Sequence, residues 1–160
     1  VITLLMVAFA RCVFVFILVL GVVFAQDSTC SSTIELLENG IQIAGTNVGA
    51  SDDTFCGIAV HGAVYYRYTK GSGNGPLEVS TCGSNTNIDS LIFVLSDCGG
   101  ICYSYSDEKC IGGSVSQTFG LVEGDSVIIV VAGTLDNGGD AVGNFQLIAR
   151  EIMTEGGPHS

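Results

Sequence analysis

The hydrophobic positions of this chain follow two patterns. Residues 1–25 form an almost continuous apolar run, broken only by Arg11. After it, short runs of β-branched and aromatic residues alternate with clusters of Gly, Asn, Asp and Ser that mark turns. These runs predict strands at 42–44, 63–69, 77–80, 91–96, 102–106, 114–119, 126–132 and 144–150. Residues 91–95 and 127–132 are apolar at every position, which implies burial on both faces. Along 63–69 the pattern alternates, with Val64, Tyr66 and Tyr68 on one face and Tyr65, Arg67 and Thr69 on the other. Residues 32–38 read either as a helical turn or as a strand entering the sheet. Many short strands bounded by turns predict an all-β fold, an antiparallel β-sandwich with jelly-roll or immunoglobulin-like connections.

The apolar run ends at Val23-Phe24-Ala25, with small residues at −3 and −1, and reads as a secretory signal helix cleaved after Ala25. A membrane anchor is the competing reading, since about 20 apolar residues span a bilayer. Arg11 would then lie mid-span, where a cation is disfavoured. No later segment is apolar enough to cross. The expected division is a signal peptide at 1–25, one β-sandwich domain at 26–150, and a disordered tail or linker start at 151–160.

Cleavage removes Cys12 and leaves Cys30, Cys56, Cys82, Cys98, Cys102 and Cys110, an even set expected to form disulfides in an oxidising compartment. Cys30–Cys56 is the expected first pair, because the other four cluster within 82–110 and would pair among themselves. A zinc site is disfavoured. Cys98, Cys102 and Cys110 lack a second close pair, and His61 and His159 have no ligand spacing.

Charge narrows the partners. All 16 acids lie after residue 25, and the net charge is −11. Nucleic acid and anionic membranes are disfavoured as partners, because binding to either rests on basic residues. Acidic loops suit calcium or plain solubility. Asp52, Asp53, Asp89, Asp107 and Glu108 flank turns that a sandwich could gather at one end, and form the candidate calcium set. Read separately, they are solvated loop acids, and Asp89 could accept hydrogen bonds from its own turn. No cofactor is required.

Catalytic chemistry is not expected. The chain has neither a Gly-x-Ser-x-Gly elbow nor a His-Glu-x-x-His motif, and His61 stands at a strand start. The glycines of 71–76 read as a flexible loop, without the Lys and helix of a phosphate cradle. Residues 136–140 resemble a single calcium-binding nonapeptide, which cannot stack alone. Tyr65, Tyr103 and Tyr105 are candidates for an aromatic platform for carbohydrate. Aromatics at alternate strand positions also serve cross-strand packing.

Several segments carry a family likeness. Ala50-Ser51-Asp52-Asp53 is followed by Cys56-Gly57, then by the strand Ala63-Val64-Tyr65-Tyr66-Arg67-Tyr68. The most specific part is Leu77-Glu78-Val79-Ser80-Thr81-Cys82-Gly83, followed by Ile88-Asp89-Ser90-Leu91-Ile92-Phe93-Val94. Ser106-Asp107-Glu108, Cys110 and Gly143-Asn144-Phe145-Gln146-Leu147 complete it. In order and spacing the chain resembles the bacterial pre-peptidase C-terminal domain family and its secreted eukaryotic relatives, from about Cys30 to Ala149. Tyr65 stands where Trp is common, Ser90 where Thr is usual, and Glu108 where a second Asp is usual. The resemblance implies a non-catalytic β-sandwich accessory domain of secreted proteins, which aids secretion or binds substrate and in some members binds calcium. The expected protein is therefore secreted or at the cell surface. It would bind an extracellular polysaccharide or protein, and after signal cleavage it would have no stable membrane insertion. The alternatives are an adhesion or matrix protein acting through its acidic loops, and a fragment of a secreted hydrolase.

Overall fold

The computed structural model describes residues 30–32, 34–35, 39–107, 110, 113–135 and 141–153. The expected signal helix, Glu108 and residues 136–140 lie outside them. After a 3-10 turn at Cys30–Ser32 come β1 (Ile34–Glu35), β2 (Gln42–Thr46), β3 (Asp53–Phe55), β4 (Ile58–Thr69) and β5 (Leu77–Ser80). Then follow β6 (Ser90–Leu95), β7 (Cys102–Asp107), β8 (Val115–Thr118), β9 (Ser126–Thr134) and β10 (Asn144–Glu151).

The strands form two sheets of a β-sandwich. The larger has the order β1-β4-β9-β6-β7 with β3 paired to β4, and the smaller has the order β2-β10-β5-β8. Every pair is antiparallel except β1 with β4. The segment 32–38 thus contributes a short parallel strand. β3 has too few apolar positions to be visible as a strand beforehand.

The two runs that are apolar throughout become β6 and β9, neighbours at the centre of the larger sheet. Ile92, Val94, Ile129 and Val131 face the space between the sheets and meet Phe145 and Leu147 of β10. Leu91, Phe93, Ile128 and Val130 fill the opposite face in a second cluster with Phe55 and Tyr65. Such two-sided burial is what removes the need for polar positions in a strand. The cover for the outer face is the β3–β4 hairpin, whose Phe55 ring lies 5.8 Å from Tyr65 and 5.3 Å from Phe93. Its two-residue turn, Cys56-Gly57, has φ of 53° and 80°, as the tight hairpins that match strand twist require.

Three disulfides complete the frame: Cys30–Cys98, Cys56–Cys102 and Cys82–Cys110. The Cys30–Cys56 pair expected from sequence does not form. Cys30 and Cys102 both pack against the outer cluster, so the first two bridges tie the N-terminal turn and the β3–β4 hairpin to the β6–β7 end of the sheet. Proximity here is set by a folded hairpin, not by nearness along the chain. Three such bridges accord with folding in an oxidising environment.

On the inner face the Tyr66 ring meets Phe145 edge-on at 6.3 Å. Both close over Gly45, where a Cβ would lie 2.5 Å from the Phe145 ring and 2.6 Å from the Tyr66 hydroxyl. That hydroxyl is buried and has no hydrogen-bond partner among the described residues, and burial pushes its pKa up. An unsatisfied buried hydroxyl destabilises. Tyr66→Phe is therefore expected to raise stability by about 1 kcal/mol in a urea melt. A loss of that size instead would show that the hydroxyl has a partner.

The glycine-rich loop, expected to be flexible, is pinned. Glu151 Oε1 accepts from the Gly71 amide at 2.6 Å and the Tyr68 hydroxyl at 3.0 Å, while Oε2 meets Lys70 Nζ at 3.0 Å. Lys70 also donates to the Gly73 carbonyl, and Ile152 N–H donates to the Pro76 carbonyl at 2.9 Å. Glu151, assigned from sequence to the tail, is instead the buried last residue of β10.

Candidate functional site

The candidate calcium acids are spread along the larger sheet. β4 and β9 lie between β3, which carries Asp53, and β6, which Asp89 precedes. At roughly 4.8 Å per strand, three strand spacings separate those positions by about 14 Å. Asp107 ends β7, opposite Leu91 of β6. Each of the other acids meets donors of the protein itself. Asp52 Oδ1 accepts from the Gly62 amide at 3.2 Å and lies 2.6 Å from His61 Nδ1. Asp53 Oδ1 accepts from the Thr54 amide at 2.7 Å and Oδ2 from the Tyr65 hydroxyl at 2.6 Å. Asp89 Oδ2 accepts from the Thr134 hydroxyl at 3.2 Å, and its main-chain carbonyl accepts from the Thr134 amide at 3.2 Å. Among the described residues no three His, Cys, Asp or Glu side chains come together as a metal-holding group.

Tyr65 leaves the expected aromatic platform. It is 4% exposed within the outer cluster, and burial together with the Asp53 hydrogen bond raises its pKa. Cross-strand packing is its role. Tyr103 and Tyr105 are different: they are 48% and 56% exposed on β7, the edge strand of the larger sheet. The Tyr105 ring stacks on Phe93 at 6.1 Å and 21°. Phe93 is fully buried, so one face of Tyr105 is fixed from below and its other face is turned outward. Exposed Ile101 precedes β7 and exposed Phe119 follows β8.

β7 and β8 are the outermost strands on the same side of the two sheets. The Ser104 hydroxyl lies 2.7 Å from that of Thr118 and accepts from Ser116 Oγ at 2.8 Å. Beside these bridges runs a groove of about 530 Å³ lined by Ser104, Tyr105, Ser106, Val115, Ser116 and Gln117. None of the six is charged. Ser106 Oγ is buried there without a hydrogen-bond partner among the described residues. A second depression of about 410 Å³ includes Glu78 and Arg150. These two are already joined, with Arg150 Nε at 2.8 Å from Glu78 Oε1. The Gln117 hydrogen bond, and after it that of Arg150, outweigh burial and hold the Glu78 carboxyl below its usual pKa.

Sequence reasoning named Tyr103 and Tyr105 but missed the groove. Its signal was present as a period-2 row of hydroxyls, Ser104 and Ser106 on β7 and Ser116 and Thr118 on β8. That these rows face each other is a property of sheet order, which local pattern does not carry. A scan of protein-family models finds no match to the chain, and searches of curated proteins and of solved structures find none either.

Proposed function

We propose that this protein is a secreted, non-catalytic binding module that holds an extended extracellular polymer at the free edge of β7. The observation that carries the reading is the Tyr105 ring, stacked on buried Phe93 and open on its other face, with Tyr103 two residues along. A ring already fixed in place loses little conformational entropy on contact, which favours binding by stacking. The resemblance to pre-peptidase C-terminal domains supports an accessory role, and the three disulfides suit an extracellular setting.

The test is retention of the oxidised protein on a panel of insoluble polysaccharides and on immobilised casein, with calcium and with a chelator. We expect saturable retention on at least one polymer, unchanged by the chelator, because the described acids are engaged by donors of the protein. Tyr103→Ala/Tyr105→Ala is expected to weaken it about tenfold, the equivalent of 1.4 kcal/mol, with the fold retained and stability lowered by about 1 kcal/mol through loss of the Tyr105–Phe93 stack. Retention that survives the double substitution would refute the assignment of the site, and no retention on any polymer would refute the function.

A further inference from the structure

The chemistry of the β7–β8 groove specifies its occupant more narrowly than the exposed tyrosines do. On a chain with 16 acids, the six lining residues carry no charge at all. A polyanion would find no cation there, and a polycation no carboxylate. Ser104, Ser116 and Thr118 use their hydroxyls to bridge the two edge strands. Ser106 is the hydroxyl left over: only 7% exposed, lining the groove, with Oγ unpartnered among the described residues. A buried polar atom kept without a partner is costly; Ser106 Oγ is closed to solvent as it stands, and a ligand hydroxyl would satisfy it once this short side chain turns toward the groove.

Successive residues of a strand point to opposite faces. Tyr105 stands over Phe93 on the outer face, and Ser106 is on the inner side of the same edge. A ligand touching both must cross the free edge of β7. We infer that the β7–β8 groove is a subsite for a neutral, hydroxyl-rich glycan chain that crosses this edge, one sugar ring against Tyr105 and a hydroxyl of a linked sugar bonded to Ser106 Oγ. The inference rests on the binding-module reading and names the ligand class of the same site. Because the two contacts lie on opposite sides of a strand, a single sugar cannot make both, and affinity rises with oligomer length.

The experiment is calorimetric titration of the oxidised protein with laminarin and mannan as neutral glycans, polygalacturonate as a polyanion and casein as a polypeptide. Glucose and mannose serve as single-sugar controls. We expect binding to a neutral glycan that is insensitive to salt, and at least tenfold weaker binding of the corresponding single sugar. Ser106→Ala is expected to weaken glycan binding about fivefold to tenfold while leaving the melting temperature unchanged or raised, since an orphan hydroxyl has been removed. A merely structural serine would instead lower the melting temperature and leave affinity alone. Binding confined to polygalacturonate or casein, or wild-type affinity in Ser106→Ala, overturns this inference and leaves the binding-module reading standing. No binding to any of the polymers, together with no retention on the insoluble panel, overturns both.

Discussion

Replacing Lys70 with methionine is expected to cost the fold about 3–5 kcal/mol, because it leaves Glu151 charged, buried and without its cation. The Lys70 and Glu151 side chains are 2% and 3% exposed and 3.0 Å apart. Glu151→Gln is expected to cost a similar amount by stranding Lys70. The double replacement, Lys70→Met/Glu151→Gln, should recover much of the loss, since exchanging a whole buried pair for neutral groups is far milder than breaking it. Urea unfolding of the four proteins, all with disulfides intact, measures this. Additive losses in the double variant would mean the two side chains are not coupled.

The same pair sets a pH dependence. Burial raises the pKa of Glu151, but hydrogen bonds from Lys70, the Gly71 amide and Tyr68 outweigh it, and the net shift is downward. A carboxylate whose folded pKa is lowered contributes stability above its unfolded value and loses it as pH falls through the folded one. The wild-type protein should therefore lose stability as pH drops below the ordinary glutamate value of 4.5. In Glu151→Gln that part of the acid limb should be flattened.

The second large effect concerns the disulfides. Converting Cys30 and Cys98 together to serine is expected to cost roughly 4 kcal/mol, from the chain entropy released by opening the loop. The three bridges close separations of 68, 46 and 28 residues. Because the entropy grows only with the logarithm of loop length, the entropic parts of the three costs should differ by no more than about 1 kcal/mol. Removing Cys56–Cys102 also releases the β3–β4 hairpin from the outer cluster. Its cost should therefore exceed the entropic value, through exposure of Phe55 and Tyr65. Thermal melts of the three double-serine variants check both statements, and an equal cost for all three would show that the hairpin stays in place unaided.

What could be read from the sequence, and what could not, divides along physical lines. β5 is found at the predicted residues, and β6 and β9 within two residues of theirs, because their apolar pattern is local and their burial is complete. β3 escaped notice because Asp53-Thr54-Phe55 has one buried position and exists only by pairing with β4. The cysteine pairing was not legible, since it depends on how a hairpin folds over a sheet. Tyr103 and Tyr105 were legible as candidates from residue type. Their difference from Tyr65 was not, because all three share an alternating strand pattern and only sheet order tells an edge strand from a covered one. The acids at 52, 53, 89 and 107 suggested a cation by composition, and the register spaces them across several strands.

The binding site proposed at the edge shared by β7 and β8 is open to direct observation. Amide chemical shifts of the oxidised, isotope-labelled protein, followed while laminarin-derived oligosaccharide is added, test that location directly. The prediction is saturable perturbation centred on 103–106 and 115–117, with the region of Asp52 and Asp53 unmoved. Saturable shifts centred on those acids, with β7 and β8 silent, would contradict it.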